Sequence, residues 1–161
     1  MENMIVYYSW TGNTEAAASE ISALTGGKTE RLCEEKLRKS FMGSALSAII
    51  GNKSKLKPLG DALPEGGANI FLGTPVWASH CVPAINTFLD KADLKGKKVF
   101  LFFTLASEAA PEKLIKSMEY KIEAKGGKVC GSVSLQTKKG VESTPEAFKE
   151  RVASWVGTLQ L

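Results

Sequence analysis

The chain reads as an α/β protein: an open, doubly wound sheet of five parallel strands in the order 2-1-3-4-5, sandwiched between helices as three α/β/α layers. Three observations predict it. Strand-like and helix-like segments alternate along the chain. Two strands, about Ala68–Thr74 and Val99–Phe103, are almost continuously apolar, as strands buried on both faces are. The first strand runs straight into a turn rich in hydroxyls and glycine that opens a helix.

The elements follow in order. The first strand is Met4–Tyr8, and the helix after its turn, about Thr14–Leu24, sets Ala17, Ile21 and Leu24 on one face before stopping at Gly26-Gly27. A second strand covers about Lys28–Leu32. A crossover segment at about 34–58 separates it from the third, Ala68–Thr74. A helix from about Val82 to Lys91 carries Pro83 in its first turn, where proline is tolerated. Beyond the fourth strand, a helix from about Pro111 to Lys125 ends at Gly126-Gly127. The fifth strand, Val129–Leu135, alternates more and contains Gly131, which suits a sheet edge. The last helix aligns Phe148, Val152, Trp155, Val156 and Leu159 in one stripe, so Trp155 is expected in the core.

With 161 residues the chain is expected to be one domain spanning 1–161. No stretch nears the ~18 consecutive apolar residues of a membrane span, no secretory leader pattern opens it, and a cytoplasmic location is expected. Its three cysteines, Cys33, Cys81 and Cys130, form no C-x-x-C pair, which argues for reduced thiols rather than a disulfide framework or zinc site. His80 is the only histidine, which leaves no multi-histidine metal centre and no second histidine for a proton relay.

Ser9-Trp10-Thr11-Gly12-Asn13-Thr14 carries the chemistry. Hydroxyls and backbone N–H groups converge there on a helix N-terminus, whose dipole favours an anion. The loop has no lysine for a nucleoside triphosphate and only one of the glycines of a dinucleotide fingerprint, so a single phosphate monoester is the better fit. An ordinary turn capped by Ser or Thr is the plainer alternative. The strand order places this loop beside Thr74–Cys81 and Thr104–Ala110, at the point where the order reverses. Within Gly73-Thr74-Pro75-Val76-Trp77-Ala78-Ser79, the sequence sets Trp77 at the tip of a loop leaving a buried strand, where a flat ring suits a planar aromatic ligand. Phosphate at one end and an aromatic stacker at the other suggest flavin mononucleotide, FMN.

Strand-S-x-T-G-N-T-helix, followed after the third strand by G-T-P-V-W-A, resembles the flavodoxin family, in particular its short-chain members. The resemblance implies FMN as cofactor. Ser9, Thr11, Asn13 and Thr14 would be phosphate ligands, with Trp10 and Gly12 adding backbone N–H groups. Pro75, Val76, Trp77 and Ala78 would line the ring, and Thr104, Leu105, Ala106 and Ser107 would approach its other side. It also implies redox partner proteins, and a homo-oligomer is open.

The chain departs from the family pattern in three places. The third loop has no tyrosine, so the usual outer stack is missing, and Trp10 either covers part of the ring or contacts only protein. Ala78-Ser79 stands where many relatives have a glycine whose peptide flips on reduction, which weakens stabilisation of the one-electron-reduced state; Ser79 alternatively caps the next helix. The net charge is +4 where relatives are acidic, with Lys36, Arg38, Lys39, Lys53, Lys55 and Lys57 concentrated in one segment that also holds Phe41, Met42, Leu46, Ile49 and Ile50. That segment reads as a crossover helix with a solvated basic face; no nucleic-acid recognition motif accompanies the charge. A positive field implies a less negative second reduction step and partners with acidic docking surfaces. His80 and Cys81 fall at the expected start of a helix, where a thiol can be activated and a histidine can deliver a proton; an inert core cysteine is the alternative.

Three functions fit these residues: a one-electron carrier between redox enzymes, a dimeric NAD(P)H-dependent FMN-containing quinone or flavin reductase, and a non-redox interaction module using the basic segment.

Overall fold

A computed structural model describes residues 1–36, 46–47, 49–50, 53–60, 63–106, 110–137 and 145–161. Its strands are β1 (Glu2–Tyr7), β2 (Lys28–Arg31), β3 (Ala68–Trp77), β4 (His80–Cys81), β5 (Lys98–Leu105) and β6 (Lys128–Gln136). The helices whose full extent is described are α1 (Asn13–Thr25), α2 (Pro83–Lys91), α3 (Glu112–Glu123) and α4 (Pro145–Gly157). Five strands pair in parallel in the order β2-β1-β3-β5-β6, and β4 lies antiparallel beside the end of β3. Counting only the parallel strands, this is the expected 2-1-3-4-5 sheet, with the fifth strand at an edge.

The period of two along each strand divides the core between the faces. Met4, Val6, Ile70, Leu72, Val99, Leu101 and Phe103 point to one side, where Ile85 and Phe88 of α2 and Leu114, Met118 and Ile122 of α3 meet them. Ile5, Tyr7, Phe71, Phe100 and Phe102 point to the other, against Ala17 and Ile21 of α1 and Val152 of α4. Phe71 and Phe100 are register partners and stack with ring centroids 5.0 Å apart; Trp155 meets Phe71 edge-on at 6.1 Å, so the last helix does place its tryptophan against the core. Burying each such side chain contributes roughly 1.5–3 kcal/mol.

Gly26, at φ 65°, ends α1 and returns its N–H to the Ser22 carbonyl at 2.9 Å, a left-handed cap that glycine adopts without strain. Gly73 is required for a different reason: a Cβ there would collide with the Phe102 ring.

The basic crossover is clasped at its ends. Glu35 N–H donates to the Lys55 carbonyl and Lys57 N–H to the Cys33 carbonyl, around a Glu34–Leu56 bridge. Lys53 pairs with Asp90 of α2 at 3.0 Å, and that ammonium holds the Asp90 carboxyl below its usual range. The Thr87 hydroxyl bonds both Ser54 backbone groups. Residues 46–47 and 49 are helical. Arg38, Lys39, Phe41 and Met42, on which part of the basic-helix expectation falls, lie outside the described residues.

Candidate functional site

The C-terminal ends of β1, β3 and β5 bring three segments together, because parallel pairing sets Tyr7 beside Gly73 and Pro75 beside Thr104. Ser9 to Gly12 link β1 to α1. Gly12 takes φ 96°, and its carbonyl accepts the first helical bond, from Ala16 N–H at 2.9 Å. No side chain caps this helix start, so the plainer expectation of a Ser or Thr cap is not what the structure has. The N–H groups of Asn13, Thr14 and Glu15 have no acceptor within the helix, as in any first turn, and they face the direction in which the dipole favours an anion. The Ser9 hydroxyl accepts from Gly12 N–H at 3.2 Å, which folds the loop on itself and engages one donor expected to face outward. Thr11 Oγ1 accepts from Asn13 Nδ2 at 3.3 Å.

Thr14 and Thr104 join the first and third segments through their hydroxyls, 2.7 Å apart and buried. Thr137, beyond β6, anchors the third segment by donating from N–H and hydroxyl to the Leu105 carbonyl. Thr104 and Leu105 are buried, Ala106 is exposed, and Ser107 lies outside the described residues.

The middle segment corrects an expectation. Trp77 is not at the tip of a loop: β3 continues through Pro75, Val76 and Trp77, then turns at Ala78-Ser79 and pairs back through β4, with Trp77 opposite His80 and Val76 opposite Cys81. Ala78 and Ser79 take φ 48° and 63°, positive at both central positions as in a type I′ hairpin turn. His80 Nδ1 lies 2.6 Å from the Ala78 carbonyl and braces the turn. Trp77 is 3% exposed and is held edge-on between Tyr8, at 5.9 Å, and Trp10, at 5.5 Å. A strand this strongly paired buries what a free loop would expose.

The same hairpin revises the residues after it. Val82, not Ser79, stands at the N-cap of α2, with Pro83 in the first turn, so Ser79 caps nothing. Cys81 is not an activated helix-start thiol. It is buried, and loss of water around its sulfur is the largest of the influences that push its pKa up to about 12, against smaller opposing effects of Lys121 and nearby hydrogen-bond donors.

Arg31 was missed by motif reading. It ends β2 in register with Tyr7, pairs with Glu15 at 3.1 Å and donates to the Ser9 carbonyl at 3.0 Å. Its signal was the strand order, which sets the end of β2 beside the first loop. Burial, then the Glu15 carboxylate, raises the Tyr7 phenol, which stays neutral beneath this loop. Among the described residues no group of histidines, cysteines and carboxylates could hold a metal, and no helix is long and apolar enough to cross a membrane.

Solved structures share this architecture. A flavoprotein in complex with FMN from Lactobacillus acidophilus is 24% identical, with 83% of this chain and 92% of that one covered at a TM-score of 0.66. A candidate flavoprotein from Bacteroides uniformis is 20% identical, with 98% of each chain covered at 0.77. The two-electron reduced flavodoxin of Megasphaera elsdenii is 23% identical, with 94% and 98% covered at 0.53. At these identities the likeness establishes the fold. No curated protein matches the chain. Residues 61–156, more than half of the chain and including β3, its hairpin and β5, match the family model described as flavodoxin, and the chain belongs to the flavodoxin family.

Proposed function

We propose that this protein, as one domain spanning 1–161, binds FMN non-covalently and carries electrons between redox enzymes in the cytoplasm. The observation that carries the reading is the start of α1, which no side chain caps, preceded by the hydroxyl-bearing loop from Ser9 and fastened to the third segment by Thr14 and Thr104. A phosphate monoester fits it: backbone N–H groups, hydroxyls and the positive end of the dipole all favour an anion. Ser9, Thr11, Asn13 and Thr14 hold the phosphate, Thr14 through its backbone N–H because its hydroxyl is buried against Thr104, with backbone help from Trp10 and from Gly12 once Ser9 releases its N–H.

The ring side fits in a modified form. Trp77 lies behind Trp10, so the half-exposed Trp10 indole offers the aromatic surface and Trp77 fixes it from behind. Pro75, Val76 and Ala78 complete that wall, and Thr104, Leu105 and Ala106 line the opposite side. Bound FMN supplies one- or two-electron chemistry. This chain's residues orient the cofactor and keep water from one side of it. The net charge of +4 favours partners with acidic docking surfaces, whose association slows as salt is added.

The test is the visible spectrum of FMN-loaded protein during slow anaerobic reduction. A long-wavelength band from a one-electron-reduced state supports the carrier. Passage straight from oxidised to fully reduced overturns it in favour of a two-electron reductase. Failure to retain FMN overturns the cofactor assignment itself.

A further inference from the structure

A cavity of about 640 Å³ opens between the β3–β4 hairpin, α2 and α3. That volume lies within the range of small-molecule sites. Lys113, Ser117 and Lys121 line it at four-residue spacing along one stripe of α3. Ser79 and His80 close it from the hairpin, and Asn86 from α2.

Lysines on a helix are commonly just solvated, and two features set these apart. Asn86 is 8% exposed, and its Oδ1 accepts from Lys121 Nζ at 3.0 Å, which draws that ammonium toward the cavity wall. The Asn86 amide nitrogen has no acceptor among the described residues and keeps contact with solvent, so it adds a donor to the cavity surface. No Asp or Glu is among the described lining residues. The described lining therefore presents ammonium, amide and hydroxyl donors without a carboxylate among them. Such a set is matched by an ionised acceptor, which turns each contact into a charge-assisted hydrogen bond.

We infer that this cavity binds a small organic anion bearing a phosphate or carboxylate group. The site is separate from the loops at the start of α1, and binding does not require FMN. Only its influence on the cofactor, transmitted through the Ala78-Ser79 turn that the two regions share, rests on the FMN reading.

Amide NMR spectra of the full-length protein, titrated separately with inorganic pyrophosphate and with citrate, test the inference. Saturating shifts are expected at Ser79–Val82, Asn86 and Lys113–Lys121, and the probe that produces them identifies the anionic group. Lys113→Ala with Lys121→Ala should weaken that binding about tenfold or more, the worth of lost charge-assisted bonds. Lys116→Ala, an exposed lysine off the cavity wall, should leave it unchanged. Absence of saturating shifts there with both probes, or equal weakening by Lys116→Ala, overturns the inference. Shifts at Ser9–Thr14 report the phosphate loop instead, so each site can fail independently of the other.

Discussion

The Thr14 and Thr104 hydroxyls lie 2.7 Å apart in the core, tying the first turn of α1 to the end of β5 across 90 residues of chain. Both residues are buried, at 1% and 4% exposure, so each hydroxyl depends on the other for its partner. Thr104→Val leaves the Thr14 hydroxyl unanswered and should destabilise the protein by roughly 1–3 kcal/mol. Thr14→Val with Thr104→Val should cost less than the sum of the single changes, because the orphaned partner is removed too. Urea unfolding of the two single variants and the double variant measures the coupling, and strict additivity would refute it.

The hairpin turn carries strain that the sequence has not relieved. Ala78 and Ser79 hold φ 48° and 63°, a region costly for residues with a Cβ. Ala78→Asn with Ser79→Gly supplies the residues this turn prefers, and should raise stability by about 0.5–1 kcal/mol after the added entropy of the unfolded chain is counted. Thermal unfolding should shift upward by roughly 1–4 °C. Ser79→Val should shift it downward.

Arg31 and Glu15 act on the phosphate loop with opposite sign. Arg31 brings positive charge and holds the Ser9 carbonyl, whereas Glu15 puts a negative charge in the first turn of α1. Arg31→Met should weaken FMN binding by about fivefold at low salt, and Glu15→Gln should strengthen it by a smaller factor. Both effects should shrink in high salt. Fluorescence titration with FMN at two salt concentrations reads all four values.

Under the proposed function, Trp10 and Trp77 divide the aromatic work. Trp10→Ala removes a ring-sized stacking surface and should cost FMN and riboflavin alike roughly 1–3 kcal/mol of binding. The equal loss on riboflavin is the informative part, because it locates the effect on the ring rather than the phosphate. Trp77→Phe should act mainly on folding stability, since Trp77 is buried between Tyr8 and Trp10.

Cys81 should resist modification that reaches the other two cysteines. Cys33 and Cys130 are exposed, and Cys81 is buried with its pKa pushed up from 9.0 to about 12. At about pH 8, a disulfide reagent should titrate Cys33 and Cys130 quickly and Cys81 only on unfolding. Above the ordinary thiol range the unfolded chain releases this proton while the folded one keeps it. Stability should therefore fall as pH rises from 9.0 toward about 12, and Cys81→Ala should flatten that part of the profile.

Periodicity and composition located the strands well because each strand buried on both faces needs apolar side chains at nearly every position. Ala68–Leu72 and Val99–Phe103 have them. Glycine stops and the hydroxyl-rich turn were equally legible, since they depend on local backbone chemistry: Gly26 is left-handed at the end of α1, and Ser9 to Gly12 do join β1 to that helix. The strand order followed from the strand-helix alternation together with the anion-binding turn after the first strand.

What the sequence by itself determined is thus the parallel sheet, its order, the helix boundaries near glycine and the identity of the loop at the start of α1. Tertiary structure alone decided the rest. Trp77 is buried because β3 gains a partner, β4, only when His80-Cys81 folds back on it, a pairing of two residues too short to leave a period. Arg31 reaches Ser9, and Thr14 reaches Thr104, because distant strands end side by side. Hydrogen bonds and burial between segments far apart in the chain arise from that juxtaposition, and no local pattern of residue types records them.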